Sequence, residues 1–174
     1  MGVGGRIARQ SKLTKPAALK AGHDVSAFDC GRGEITSWLL KKAAKAGETD
    51  TAKTYVVCRG TKRVVAYCSL AAGGVAHADV PSALARNAPD PIPVIILARV
   101  GVTKDEQGRG LGRALTAEAM RRSSQASRII GARALLVHAL DDRLAVYYET
   151  LGFRRVAESA QTLYLAMKIV RDGL

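Results

Sequence analysis

The stretch Gln107-Gly108-Arg109-Gly110-Leu111-Gly112-Arg113 alternates glycine with larger residues and runs straight into a helical pattern. Alternating glycines let backbone N–H groups approach a bulky anion closely. A helix start behind them adds unpaired donors and a partial positive charge. The chemistry such a loop suits is phosphate binding. A Walker loop would end in Gly-Lys-Ser/Thr, but Arg113 and Ala114 follow Gly112, so no hydroxyl is available for magnesium. A dinucleotide fingerprint would put a third glycine where Arg113 stands and would begin directly at a strand end, whereas Thr103 to Gln107 intervene. What remains is Gln-x-x-Gly-x-Gly at the start of a helix that follows a buried strand.

The second group able to do chemistry is the pair Tyr147-Tyr148, inside "DDRLAVYYETLGF". Asp141 and Asp142 read as a helix cap and Gly152 as its stop. Neighbours on a helix diverge by about 100°, so the two rings are expected to point in different directions. His138 reads as a core or cleft-wall histidine, Trp38 as a core anchor, and His23 and His77 show no metal pattern.

The elements that must position these residues follow from periodicity. Val94 to Val102 is a near-continuous apolar run, expected as a strand buried on both faces. Thr103 to Gly110 reads as a polar loop. Leu111, Leu115, Ala119, Ala126 and Ile130 mark one face of a helix stopped by Gly131. "ARALLVHAL" reads as a second central strand. Two β-branched runs flank Gly60-Thr61-Lys62 as a hairpin. Residues 71–91 read as a long loop with a helical turn near "PSALARN". Ile35, Trp38, Leu39, Lys42, Ala43 and Ala46 lie along one stripe of a first helix, and Leu163, Leu165, Met167 and Ile169 alternate as a closing strand. The expected organisation is a flexible basic arm over residues 1–12 and a single mixed α/β domain over 13–174.

Composition narrows the function. The chain has 174 residues, 48% hydrophobic, which suits one domain with a real core. Its net charge of +12 points to a polyanionic partner. Aromatic residues are only 5%, too few for a single-strand-binding stacking platform. No apolar run approaches a membrane span, and the basic N-terminus lacks the apolar core of a secretory signal. The three cysteines, Cys30, Cys58 and Cys68, have no metal spacing and read as small buried hydrophobes in a reducing cytoplasm. No metal is expected.

The loop Gln107 to Gly112 resembles the acyl-CoA pyrophosphate loop of the Gcn5-related N-acetyltransferases, and "YYETLGF" resembles that family's second signature, with Tyr148 four residues before Gly152-Phe153. The resemblance runs from Leu97 to Phe153, and the order of elements agrees over most of the chain. It implies a mostly antiparallel mixed sheet flanked by helices, whose two central strands splay around a pantetheine arm. It further implies that acetyl-CoA is held by Val100, Gly101 and Val102 on the strand and by Gln107, Gly108, Arg109, Gly110, Leu111, Gly112 and Arg113 in the loop, with Tyr148 as the acid that protonates the leaving thiolate.

"HDVSAFDCGRGEITSWL", "RVVAYCSLAAGGV" and "ALLVHALDDRLAVYYETLGF" narrow the resemblance to the acetyltransferase toxins of bacterial toxin–antitoxin pairs. That group acetylates the α-amine of aminoacyl-tRNA and blocks translation. The resemblance implies a ribbon-helix-helix antitoxin, a homodimer and a cytoplasmic location. Lys41, Lys42, Lys45 and Arg86 are the candidate tRNA contacts. Many family members carry a Glu on the strand before the loop, but Ala98 and Arg99 occupy that region here. A lysine acceptor has a pKa of about 10.4 and needs a base, whereas an α-amine, at about 7.7–8, is already largely neutral near pH 7. The missing carboxylate thus favours an α-amine. Two other readings remain open: a general N-acetyltransferase for a protein N-terminus or small amine, and a non-enzymatic nucleic-acid-binding module on an inherited CoA fold.

Overall fold

In the computed structural model, which describes residues 11–173, the hairpin at Gly60 forms as expected, from β2 (Lys53–Arg59) and β3 (Arg63–Val75). Gly60 has φ +70°, the left-handed conformation that this tight turn demands. β3 does not stop where the Gly/Ala-rich stretch begins. It continues to Val75, paired antiparallel with β4 (Ile92–Val102) down to Val75↔Ile92. The expected loop therefore starts only at Ala76. Gly73, paired with Val94, must be glycine in this strand because a Cβ there would collide with the Ile96 side chain on β4. The expected turn is α3 (Ser82–Ala85).

The first helical stripe is real but broken. α1 (Gly33–Lys41) and α2 (Ala43–Glu48) meet at Lys42, whose φ of −125° leaves the helical range. Ile35, Trp38, Leu39 and Ala43 still face the core, and the break lets α2 turn onto β2.

β4 connects through α4 (Leu111–Ile130) to β5 (Ala134–His138), its parallel neighbour. α5 (Asp142–Thr150), β6 (Arg154–Arg155), β7 (Thr162–Ala166) and α6 (Met167–Asp172) complete the chain after the edge strand β1 (Ala17–Ala18). The sheet order is β1-β2-β3-β4-β5-β7-β6, antiparallel except for β4 and β5. One core lies between the sheet and α4, α5 and α6, around Leu97, Leu115, Leu135 and Leu163. A second lies on the other face under α1 and α2, around Trp38, Val56 and Tyr67.

Four further expectations change. Leu115 and Ala119 are fully buried on α4, but Ile130 is 73% exposed because none of the described residues covers the last turn; Ser123, Ser124 and Ser127 pack inward instead. The closing strand ends at Ala166, after which Met167 and Val170 reach the core at helical spacing and Ile169 faces out. The polar loop before the glycines contains a 3₁₀ turn (Lys104–Glu106) whose Glu106 is buried. The basic arm lies outside the described residues as far as residue 10. Ser11 and Lys12 are anchored rather than free: their carbonyls accept from Arg59 at 2.7 Å and from the Gly60 N–H at 2.9 Å.

Candidate active site

β4 and β5 pair only from Val94↔Ala134 to Leu97↔Val137. Beyond that point the strands part, and Ala98 to Val102 keep β3 on one edge and no strand on the other. This agrees with Ile92, Val94, Ile95 and Leu97 being buried while Ala98, Arg99, Val100 and Val102 are only half-buried. A cavity of about 630 Å³ opens in the gap. Val100, Val102, Leu111, Leu144, Tyr147 and Tyr148 line it from the α4 and α5 side, while Arg32, Ile35 and Arg99 line it from the α1 side. The cleft is thus lined from both faces of the sheet.

The glycine loop forms the first end. Gly108 (φ +75°) and Gly110 (φ +83°) are left-handed, and a Cβ at either would meet nothing within 4 Å, so they serve backbone conformation and access rather than packing. The first hydrogen bond from this segment to the body of the helix is made by the Ala114 N–H to the Gly110 carbonyl. The N–H groups from Gly108 to Arg113 have no acceptor among the described residues, and no side chain caps α4. Six donors at a helix N-terminus make an anion site. Arg113 lines the cavity and makes no ion pair among the described residues.

The loop is held from behind. Glu106 accepts from Arg59 through both oxygens, at 2.8 and 2.7 Å, and from Arg109 at 3.3 Å. The Arg59 guanidinium keeps its carboxyl below the usual carboxylate range. Arg63 binds Asp105 at 2.8 Å. Gln107 donates its amide to the carbonyls of Val102 (2.9 Å) and Cys30 (3.0 Å), tying the loop to the end of β4. Gln107 and Arg109 therefore serve the loop's shape, and Arg109 does not line the cavity. Neither does Gly101; a Cβ there would sit 2.8 Å from Ile35 and 2.9 Å from Tyr67, so this glycine lets α1 pack on β4.

α5 carries the tyrosines. Asp141 caps it by accepting from the Leu144 N–H at 2.8 Å. Tyr148 is 7% exposed and packs edge-on against Phe153. Burial pushes its hydroxyl well above the usual tyrosine range. Tyr147 points in a different direction from Tyr148, as expected, yet stays in the cleft. Its hydroxyl stands 3.7 Å from where a Gly112 Cβ would be, and both tyrosines line the cavity. α5 presents enough of its circumference to the cleft that two neighbours reach different depths of it: Tyr147 the phosphate loop, Tyr148 the interior. Neither hydroxyl has a hydrogen-bond partner among the described residues.

On the α1 side, Arg99 lies over Trp38 at 4.5 Å, and Trp38 stacks on Tyr67. Trp38 is thus a core anchor whose outer face carries a cation. His138 lines the cleft wall with Nδ1 2.9 Å from the Thr162 hydroxyl. Among the described residues the only carboxylate lining the cavity is Glu106, already paired with Arg59. Lys41, Lys42, Lys45 and Arg86 do not line it. Arg32 and Ile35 were not singled out as cleft residues from the sequence, because no local pattern says that the start of α1 will meet a strand more than sixty residues later. Cys58 and Cys68 are buried, with the Cys68 thiol pushed up to about 12 by burial, but Cys30 is only partly buried, its sulfur 3.3 Å from the Thr36 hydroxyl. Among the described residues no group of His, Cys, Asp or Glu is arranged for a metal, and no helix is long and apolar enough to cross a membrane.

Residues 50–155 match the acetyltransferase (GNAT) domain. Over 161 residues the chain is 40% identical to the tRNA-acetylating toxin of Mycobacterium tuberculosis strain H37Rv, covering 92% of this chain and 96% of that one. Its fold superposes on AtaT complexed with acetyl-methionyl-tRNAfMet with a TM-score of 0.84, at 27% identity and covering 92% and 98% of the two chains. It also superposes on a tyrosine-to-phenylalanine variant of AtaT bound to the C-terminus of the antitoxin AtaR and acetyl-CoA, with a TM-score of 0.78, at 26% identity and covering 91% and 96%.

Proposed function

The chain belongs to the GNAT acetyltransferase family, and from that premise we propose that it is the toxin of a toxin–antitoxin pair, transferring acetyl from acetyl-CoA to the α-amine of aminoacyl-tRNA and so blocking translation. The observation that carries this reading is a cleft with, among the described residues, six free N–H donors at one end, the hydroxyl of a mostly buried tyrosine within it and no unpaired carboxylate along it. The identity with a tRNA-acetylating toxin over nearly the whole chain supports the acceptor.

Acetyl-CoA supplies the acetyl group as a thioester. The N–H groups of Gly108 to Arg113 bind its pyrophosphate, with Arg113 adding charge. The backbone edge of β4 that β5 leaves open, at Val100 and the Val102 N–H, holds the pantetheine amides as an added strand would, and an N–H near Val100 polarises the reacting carbonyl. Tyr148 holds a proton for the leaving sulfur; a tyrosine hydroxyl is protonated at neutral pH, and burial raises its pKa further. The aminoacyl end enters from the side of Arg32, Ile35 and Arg99. No base is required of the protein, because an α-amine at about 7.7–8 is substantially neutral at pH 7.

Lys41, Lys42, Lys45 and Arg86, away from the cleft, are the proposed contacts for the body of the tRNA. Reversing the three lysine charges weakens tRNA binding and flattens its salt dependence while sparing acetyl-CoA binding. The proposed partner is a ribbon-helix-helix antitoxin; the AtaT relative seen with AtaR supports an antitoxin of some kind. The proposed state is a homodimer in the cytoplasm, where aminoacyl-tRNA is found. The deciding experiment is mass analysis of the aminoacyl end after charged tRNA is incubated with protein and acetyl-CoA. Acetyl on the aminoacyl nitrogen is expected; acetyl only on protein lysines or free small amines would overturn the toxin reading.

A further inference from the structure

One ion pair spans the cleft itself. Arg32, the extended residue just before α1 (φ −111°), reaches Asp141, the cap of α5, with N–O at 2.9 Å across 109 residues of sequence. Arg32 lines the cavity together with Ile35 and Arg99, the side away from the phosphate loop's own helix. The pair joins the wall made by the start of α1 to the wall made by the tyrosine helix.

The two ends of this contact differ in mobility. The backbone around Arg32 is fastened: Asp29 pairs with Lys104 at 2.9 Å and accepts the Gly31 N–H at 2.9 Å, and Gln107 holds the Cys30 carbonyl. Asp141 is fastened too, since its other oxygen caps Leu144. Only the Arg32 head group is free to exchange. Its bond to Asp141 is its single side-chain hydrogen bond among the described residues, and the partners are 45% and 43% exposed. Water-facing pairs of this kind are weak and open readily.

Resting on the tRNA reading, we propose that the Arg32–Asp141 pair is a clasp over the acceptor half of the cleft, opened by a phosphodiester near the 3′ end of the acceptor strand, which takes the Arg32 guanidinium from Asp141. The geometry suits the exchange. A guanidinium fork donates to two phosphate oxygens as readily as to a carboxylate. Asp141, once released, still holds the Leu144 N–H and is not orphaned. Arg99, with no carboxylate partner among the described residues, stands on the same side of the cleft and adds favourable charge for an incoming polyanion.

A purely structural strap and a clasp that competes with substrate make opposite demands on two variants. Arg32→Gln and Asp141→Asn both break the pair, and Asn preserves the helix cap. Binding of charged tRNA is measured for each against salt concentration, with acetyl-CoA affinity measured on the same proteins. The clasp requires Arg32→Gln to weaken tRNA binding about fivefold at physiological salt and to reduce the log–log salt slope by about 0.7–0.9, one phosphate contact. It requires Asp141→Asn to tighten binding, by about threefold if the pair is closed two-thirds of the time. Shifts of both variants in the same direction, or no shift in either, overturn the clasp while wild-type acetylation of charged tRNA leaves the functional reading intact. A change in acetyl-CoA affinity with tRNA affinity unaltered moves Arg32 to the donor side and also overturns it. A wild-type protein that binds no charged tRNA overturns both.

Discussion

The rings of Tyr147 and Tyr148 lie 5.5 Å apart at 63°, yet their hydroxyls serve different ends of one cleft. The Tyr147 hydroxyl stands by Gly112 in the phosphate loop, and Tyr148 is sunk into the core against Phe153. Under the proposed function, this division separates binding from chemistry. Tyr148→Phe keeps the ring and its packing but removes the proton, so kcat should fall about 10²–10⁴-fold with little change in acetyl-CoA affinity. Tyr147→Phe should act more weakly and mainly on KM for acetyl-CoA. Steady-state kinetics of the two variants checks the split; equal kcat in wild type and Tyr148→Phe would remove Tyr148 from the reaction.

Gly110 should be intolerant of charge and nearly indifferent to space. A Cβ there meets nothing within 4 Å, so Gly110→Asp can fold, but its carboxylate would lie against the proposed pyrophosphate site. Calorimetric titration should find acetyl-CoA binding abolished. Gly110→Ala serves as the control: it introduces the same left-handed strain, about 1 kcal/mol, and should retain measurable binding.

The buried carboxylate of Glu106 should tie loop integrity to pH. Its folded pKa is lowered, first by the Arg59 hydrogen bonds. Its contribution is therefore present above the unfolded value of about 4.3 and is lost as pH falls through the lower folded value. Glu106→Gln should lower the thermal midpoint at neutral pH and remove that part of the acid dependence. It should also raise KM for acetyl-CoA, because Arg59 and Arg109 lose the charge that holds them behind the loop. Melting curves across the acid range, compared between the two proteins, test this.

The pH dependence of turnover should report the acceptor rather than an enzyme base. Burial raises the Tyr148 pKa above its ordinary value of about 10, so the acid form persists and no alkaline fall is expected below that pH. The rate should climb as the acceptor amine deprotonates and level off above about pH 8. A rate still climbing near about pH 10 would indicate a lysine-like acceptor instead.

Local chemistry was legible in the residue order. The glycine spacing from Gly108 to Gly112, the Asp141 cap, the Gly131 and Gly152 stops and the apolar run ending at Val102 each encode a backbone state through short-range sterics and hydrogen bonding. Together they determined the phosphate loop, the tyrosine helix and the α/β order. Three things were decided only by tertiary structure. Lys42 breaks the first helix because the packing of Ala43 and the turn onto β2 prevail over a continuous helical stripe. Gly73 and Gly74, which read as loop, become strand because a long partner in β4 is available to pair with them. The cleft itself exists because β4 and β5 stop pairing at Leu97 and Val137, and its far wall is Arg32, brought to Asp141 from 109 residues away. Contacts across such separations leave no periodic trace in a single chain, because their partners are chosen by the packing of whole elements rather than by neighbours in sequence.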